Sequence, residues 1–249
     1  MNRYVIFLDI DGTVYCGGAI SAGNREAIRL AQNAGHKVCI NTARSPADIP
    51  DKIRNVHWDA IVSSIGSHIV VDGRTLLAAR IPAEDAARVF DELTAAGIGA
   101  MIEGDTTLLC NPLFDNGHCT VLRSGDELLR RFPDEAIAKM FLPGVLPQHL
   151  QDSLAARYQF YQHQTYAEFS VKGHTKATGM LPVLRAFGTD IAHCIAMGDS
   201  VNDLEMLRAA GISVAMGDAD ERVKAVCTHI TCDAADDGVA KALYALLNL

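Results

Sequence analysis

Short apolar runs, each closed by a polar or acidic turn, recur along this chain. Val5-Ile6-Phe7-Leu8 ends in Asp9-Ile10-Asp11-Gly12-Thr13. Apolar on both faces and rich in β-formers, the run predicts a central strand of a parallel sheet covered by helices. Ala27, Ile28, Leu30 and Ala31 at helical spacing predict a helix over 24–34, stopped by Gly35. Lys37 to Ile40 predicts a second buried strand, ending in Asn41-Thr42-Ala43-Arg44, and Ile61-Val62 begins a third. Strands alternating with helices are the signature of an α/β fold, here a Rossmann-like, doubly wound parallel sheet with right-handed connections.

The second half repeats this grammar. A strand over 191–197 runs into Gly198-Asp199-Ser200, and a helix over 202–210 is closed by Gly211. Ile212 to Ala215 is the next strand, followed by a short helix over 221–226, a short strand over 229–231 and a terminal amphipathic helix over 238–247. The middle, residues 81–170, reads differently. It holds a helix over 84–96, short β-like pieces at 98–102 and 106–110, and a run punctuated by Pro112, Gly117, Gly125, Pro133, Pro143, Gly144 and Pro147. A helix around 148–156 and the aromatic strand Tyr158-Gln159-Phe160-Tyr161 follow. The pattern predicts an α+β domain over 81–170 inserted into a catalytic core formed by 1–80 and 171–249. A unit whose entry and exit lie together can hinge like a lid.

Composition narrows the function. The 249 residues carry 22 Lys+Arg against 30 Asp+Glu, a net charge of −8. That balance argues against nucleic acid or an anionic membrane surface as partner and leaves a divalent cation open. The seven cysteines are odd in number and irregularly spaced, most of them in apolar runs, which predicts buried thiols in a reducing, cytoplasmic setting. The apolar run at the start is too short and too acidic for a signal peptide, and no run approaches the ~20 residues of a membrane span.

Two acidic clusters follow buried-strand runs. Asp9 and Asp11, two residues apart on an extended segment, are expected to point the same way, beyond the carboxyl end of a strand where open α/β sheets bind ligands. Such a pair repels itself unless a hard cation takes its oxygens. The segment lacks the third acid and the bidentate Glu of a calcium loop. An Asp-Gly turn is the plainer alternative. The second cluster is Gly198-Asp199-Ser200-Val201-Asn202-Asp203, in which Asp199 can complete an oxygen shell while Asn202 and Asp203 also suit helix capping. Thr42 offers a hydroxyl at a strand end, and Lys176 opens a helix, where an ammonium suits an anion.

In this order and spacing, Asp9-x-Asp11, Thr42, Lys176 and Gly198-Asp199-Ser200-x-Asn202-Asp203 resemble the haloacid dehalogenase superfamily, specifically the Cof-like phosphatases with a large C2-type cap. The resemblance spans nearly the whole chain. It implies that Asp9 is the nucleophile that becomes an aspartyl phosphate, and that Asp11 protonates the leaving alcohol and then activates water. Thr42, Ala43, Arg44, Lys176 and Asn202 would contact substrate. Mg²⁺ would be held by Asp9, the Asp11 backbone carbonyl, Asp199 and Asp203. Lys172 is a rival for the lysine role; Lys176 has the family spacing from Glu168. The chain departs from the family at Thr42-Ala43-Arg44, where Thr-Gly-Arg is usual, and at Ile65-Gly66-Ser67, where Asn-Gly-Ala is usual. Met216-Gly217-Asp218 replaces the usual Met-Gly-Asn.

A carboxylate attacks a phosphate dianion only when charge is masked, which Mg²⁺ and a lysine accomplish. The expected partner is a small phosphomonoester, a sugar phosphate or a phosphorylated cofactor such as pyridoxal phosphate or FMN. A phosphomutase or phosphotransferase on the same scaffold is the nearest rival, and a non-catalytic metabolite sensor the more distant one. His68, His174, His193, Trp58 and the aromatics over 158–166 read as packing or surface residues, and Arg123, Arg130 and Arg131 as a solvated face.

Overall fold

A computed structural model describes residues 3–249. In chain order the elements begin with β1 (Val5–Leu8), α1 (Ala22–Asn33), β2 (Lys37–Asn41), α2 (Asp51–Arg54), β3 (Ala60–Ser63), β4 (His68–Val71) and β5 (Arg74–Ala78). They continue with α3 (Ala83–Ala95), β6 (Met101–Gly104), β7 (Leu108–Cys110), β8 (Thr120–Val121), α4 (Gly125–Arg131), β9 (Ile137–Pro143), α5 (Gln148–Arg157), β10 (Gln159–Gln162) and β11 (Tyr166–Ser170). The last are α6 (Lys176–Ala186), β12 (Cys194–Gly198), α7 (Leu204–Ala209), β13 (Ile212–Ala215), α8 (Glu221–Lys224), β14 (His229–Ile230) and α9 (Gly238–Leu247).

The chain divides into two compact units. The first combines the chain up to Ala43 with Pro50–Leu77 and Thr175–Leu249; the second combines Ala78–His174 with the short segment Arg44–Ile49. The inserted unit is thus a few residues wider at each end than 81–170, and it draws in a piece of the chain that the sequence places in the core.

The first unit is built on an eight-stranded sheet in the order β14-β13-β12-β1-β2-β3-β4-β5. β14, β13, β12, β1, β2 and β3 pair in parallel, whereas β4 runs antiparallel to β3. β1 is central and fully buried, as its unbroken apolar run requires. The hairpin formed by β4 and β5 is missing from the sequence reading because β5, Arg-Thr-Leu-Leu-Ala, is mostly exposed and lacks the run of buried positions. The strand expected over 191–197 begins only at Cys194; Asp190 caps a 3₁₀ turn over 191–193 by accepting the His193 backbone N–H. The helix expected over 202–210 likewise opens with a 3₁₀ turn before α7. Ser21 caps α1 through its hydroxyl, and Asn24 on that helix accepts the Ala240 N–H of α9, so the two helices pack together on the sheet.

The second unit has a six-stranded sheet in the order β10-β11-β9-β6-β7-β8, all of whose neighbours are antiparallel except β7 and β8. One face of that sheet, with Ile102, Leu109, Met140, Leu142, Ala167 and Phe169, packs against Phe90 and Leu93 of α3 and Leu128 of α4. The other face carries charge: Lys139 lies 3.2 Å from Glu103 and 2.5 Å from Glu168, all three buried. The central strand β9 falls in the stretch that reads from sequence as turn-rich, because a lysine in its middle breaks the apolar signal. Among the described residues no helix is long and apolar enough to cross a membrane.

Candidate active site

Parallel register fixes which residues leave the first unit's sheet together. Leu8 pairs with Met197 on one side and Ile40 on the other, so Asp9, Gly198-Asp199 and Asn41-Thr42 emerge at the same carboxyl edge. The Asp9 N–H is held by the Met197 carbonyl at 3.1 Å. The fourth contributor is the start of α6, where Thr175 is the N-cap and forms a capping box with Thr178.

Lys176, the first residue of that helix, is fully buried, and its Nζ lies 2.8 Å from Asp9 and 2.6 Å from Asp203. The second oxygen of Asp203 accepts the Asp199 and Ser200 backbone N–H groups, each at 3.1 Å. With both oxygens engaged, Asp203 ties the β12–α7 turn to the lysine. Asp199, half-buried, accepts the Thr13 hydroxyl at 3.1 Å. The loop around these groups leaves no room for larger residues. Gly12 has φ +73°, and a Cβ there would meet Asp199 at 2.5 Å; a Cβ on Gly198 would meet Asp203 at 2.5 Å.

The sequence expectations meet this geometry unevenly. Asp9, Asp199, Asp203 and Lys176 are brought together. Asp9 is buried, whereas Asp11, two residues on, is exposed. The chain is not extended there, since Val14 N–H bonds the Asp9 carbonyl and Thr13 and Tyr15 N–H groups bond that of Ile10, a tight turn through Gly12. Thr42 is buried just past β2, with its N–H on the Val62 carbonyl and its carbonyl accepting Ile65 N–H. Asn202 is buried and accepts the Ser200 hydroxyl at 2.7 Å. Ala43 ends its stretch of the first unit, while Arg44 belongs to the second, where its guanidinium bonds Asp48 at 2.8 Å. Lys172 is exposed and donates to the Ala156 carbonyl at 2.6 Å within the second unit.

Two residues that bear on the site have no role in the sequence reading. Thr13 stands in the quoted Asp9–Thr13 motif, and its hydroxyl orients Asp199. Asn41 donates its amide to the Lys176 backbone carbonyl at 2.9 Å and so positions the start of α6. A buried asparagine ending an apolar strand was the signal for it.

Ser64, Ile65 and Gly66, after β3, all have positive φ, at 53°, 58° and 87°. For β-branched Ile65 this is strained backbone. It is held because Gly66 lies against the Thr175 carbonyl, where any side chain would collide. This loop therefore braces the helix start that carries Lys176.

Three carboxylates and one ammonium leave the cluster with excess negative charge. Burial, then Asp203, push the Asp9 carboxyl well above its ordinary range, against the opposing pull of Lys176. Burial, then Asp203, also push Asp199 up to about 7. Oxygens of Asp9, Asp199 and Asp203 lie within 4.8 Å of one another, a donor set that suits a hard divalent cation. The sign of the linkage is definite. Groups whose folded-state pKa is raised stabilise the fold fully below the unfolded value, ~3.9 for Asp, and that contribution is lost as pH rises through the folded value. Without metal, the extra melting temperature that wild type loses relative to Asp199→Asn between about pH 4 and the folded-state value of about 7 measures this term. Added Mg²⁺ is expected to raise the melting temperature most at the top of that window and least at its bottom. An equal Mg²⁺ shift at both ends would remove the carboxylate cluster as its binding site.

Comparison with known proteins agrees with this architecture. The family model of haloacid dehalogenase-like hydrolases matches residues 6–243. YkrA of Bacillus subtilis (strain 168), named provisionally as a phosphatase, is 25% identical over 99% of this chain and 98% of its own length. The pyridoxal phosphate phosphatase YbhA of Escherichia coli (strain K12) is 26% identical over 99% of this chain and 100% of its own length. Among solved structures, the phosphatase BT1666 of Bacteroides thetaiotaomicron superposes with a TM-score of 0.84 at 24% identity, covering 99% of this chain and 96% of that one. A match over nearly all of the chain, on an α/β core whose first strand ends in a buried aspartate, places this protein in the haloacid dehalogenase-like hydrolase family.

Proposed function

We propose that this enzyme is a Mg²⁺-dependent phosphatase that hydrolyses a small phosphomonoester through an aspartyl phosphate on Asp9. The observation that carries the reading is a buried carboxylate, Asp9, held 2.8 Å from a fully buried lysine and beside two further carboxylates. A structural ion pair has no need of the extra acids; a site that handles a phosphoryl group and a divalent cation does.

In this reading an Asp9 oxygen attacks phosphorus in line, the bond from phosphorus to the ester oxygen breaks, and the leaving alkoxide takes a proton from Asp11. Water then attacks the same phosphorus, loses its proton to Asp11, and releases inorganic phosphate and free Asp9. Lys176 and Thr42 steady the phosphoryl oxygens, and Asp203 holds the lysine in place. Asp9, the Asp11 carbonyl and Asp199 would hold Mg²⁺, which would supply masking of negative charge on the phosphoryl oxygens. Thr13 keeps Asp199 turned toward that position. Because burial disfavours the charged form of Asp9, Lys176 is what keeps a useful fraction of it ionised and nucleophilic.

The substrate class is a small soluble metabolite: a sugar phosphate, or a phosphorylated cofactor such as the one named for the Escherichia coli relative. Phosphate release from a panel of sugar phosphates, nucleotides, pyridoxal phosphate and FMN, each with Mg²⁺ and with EDTA, tests the reading. Metal-dependent release from one group is the expected result and names the class. Silence across the panel, with a generic aryl phosphate also intact, would overturn the hydrolase and leave phosphoryl transfer to a second substrate.

A further inference from the structure

The second unit contains a group of side chains that the phosphatase reading does not use. On the sheet face opposite its apolar core, three sulfur atoms converge. Met101 of β6 is the cross-strand partner of Cys110 of β7. Cys110 is in turn level with Val121 of β8, and Cys119 lies two residues before Val121, so an extended β8 turns Cys119 to the same face as Cys110. Ile102 and Leu109, next along their strands, point the other way into the core. The geometry is close: the Cys119 thiol donates to Met101 Sδ at 3.3 Å, and Met101 is level with Cys110 on the neighbouring strand. Cys110 is fully buried, Met101 nearly so, and Cys119 half-buried.

Sulfur packs singly in most cores; here two thiols and a thioether share one point. Glu103, the nearest acid along β6, has its carboxylate engaged by Lys139 at 3.2 Å and by the Ser45 backbone N–H at 3.3 Å. Two thiolates with one neutral thioether form a soft, three-coordinate donor set, which favours Cu(I) over Mg²⁺ or Ca²⁺. We propose that Met101, Cys110 and Cys119 form a binding site for a soft, thiophilic monovalent cation, Cu(I).

Loading the site forms two thiolate–copper bonds and one thioether–copper bond. Two S–H bonds break, both protons pass to solvent, and no oxidation state changes. The ion would cross-link β6, β7 and the start of β8. β8 is a two-residue edge strand otherwise held by a short ladder, so loading should stiffen that edge. This inference is independent of the phosphatase reading, since no residue of the site belongs to the proposed catalytic machinery.

The test is an anaerobic titration of the whole protein with Cu(I) against a competing chelator, read as tight equivalents per chain and as a shift in melting temperature. Other thiols must be controlled, above all exposed Cys16 and Cys232 and half-buried Cys227. The expected result is one tight equivalent and a raised melting temperature in wild type, both retained in C16S/C227S/C232S. Both are lost in C119S, and M101L binds more weakly than wild type while keeping its fold in the absence of copper. M101L keeps the test sharp even if C119S folds poorly. Wild type without a tight equivalent, a tight equivalent that survives C119S, or one that disappears in C16S/C227S/C232S would each overturn the proposal.

Discussion

Asp9→Asn is expected to fold, to melt at or above the wild-type temperature without metal, and to release no phosphate. The substitution is isosteric, so β1 and its 3.1 Å backbone bond to Met197 are preserved. In the proposed mechanism it removes the nucleophile itself, and losses on the order of 10⁴-fold or more in kcat accompany removal of a group that forms a covalent intermediate. Stability moves the other way. Burial and the Asp203 charge make ionised Asp9 unfavourable in the folded protein, and an amide does not bear that cost at neutral pH. Lys176 keeps its partner Asp203 at 2.6 Å, so the ammonium is not stranded. The pairing of the two results is the informative part, because a variant that merely unfolded would lose both. Turnover within about tenfold of wild type, equivalent to only ~1.4 kcal/mol of barrier, would take the nucleophile's role away from Asp9.

Lys176→Met should damage the protein in both respects. Methionine fills most of the lysine's volume but leaves Asp9 and Asp203 buried without the cation they share. Breaking a buried ion pair by removing one partner costs about 3–5 kcal/mol, because the remaining charge is stranded. Against a typical total of about 5–15 kcal/mol that leaves a marginal fold. The deficit should shrink as pH is lowered toward about 5, since protonation removes the stranded charge. Denaturant unfolding of variant and wild type at about pH 5 and about pH 7.5 reads this directly. Lys172→Ala is the matched control. Its ammonium is exposed and bonds only a backbone carbonyl, so the expected change is within about 0.5 kcal/mol, with activity kept. Should Lys172→Ala prove the more damaging of the two, the lysine role would pass to it.

Much of this protein is legible in one dimension because its information is local. A strand buried on both faces is dominated by apolar residues, so β1, β2, β12 and β13 stand out as runs whatever surrounds them. Helix termini carry their own chemistry, and α9 begins at Gly238 and ends at Leu247, as the pattern alone predicts. The acids were legible for a similar reason, since polar residues placed directly after buried runs need an occupation, whereas the lysine was picked out by its place at a helix start and its family spacing from Glu168.

Interactions between distant segments decided the rest. β9 is a central strand that tolerates a lysine, because Glu103 and Glu168 from the strands on either side neutralise it, and neither glutamate is near it in sequence. Between Asp9 and Asp11 the chain closes a tight turn through backbone hydrogen bonds, although the spacing alone suggests an extended segment. Thr13 and Asn41 acquire their roles only through partners far along the chain, Asp199 and Lys176. Sequence determined which residue types stand at strand ends and helix starts, since those depend on a few neighbours. Only the tertiary structure decided which of them meet, because a contact between Asp9 and Lys176 depends on the register of a whole parallel sheet and the brace behind α6.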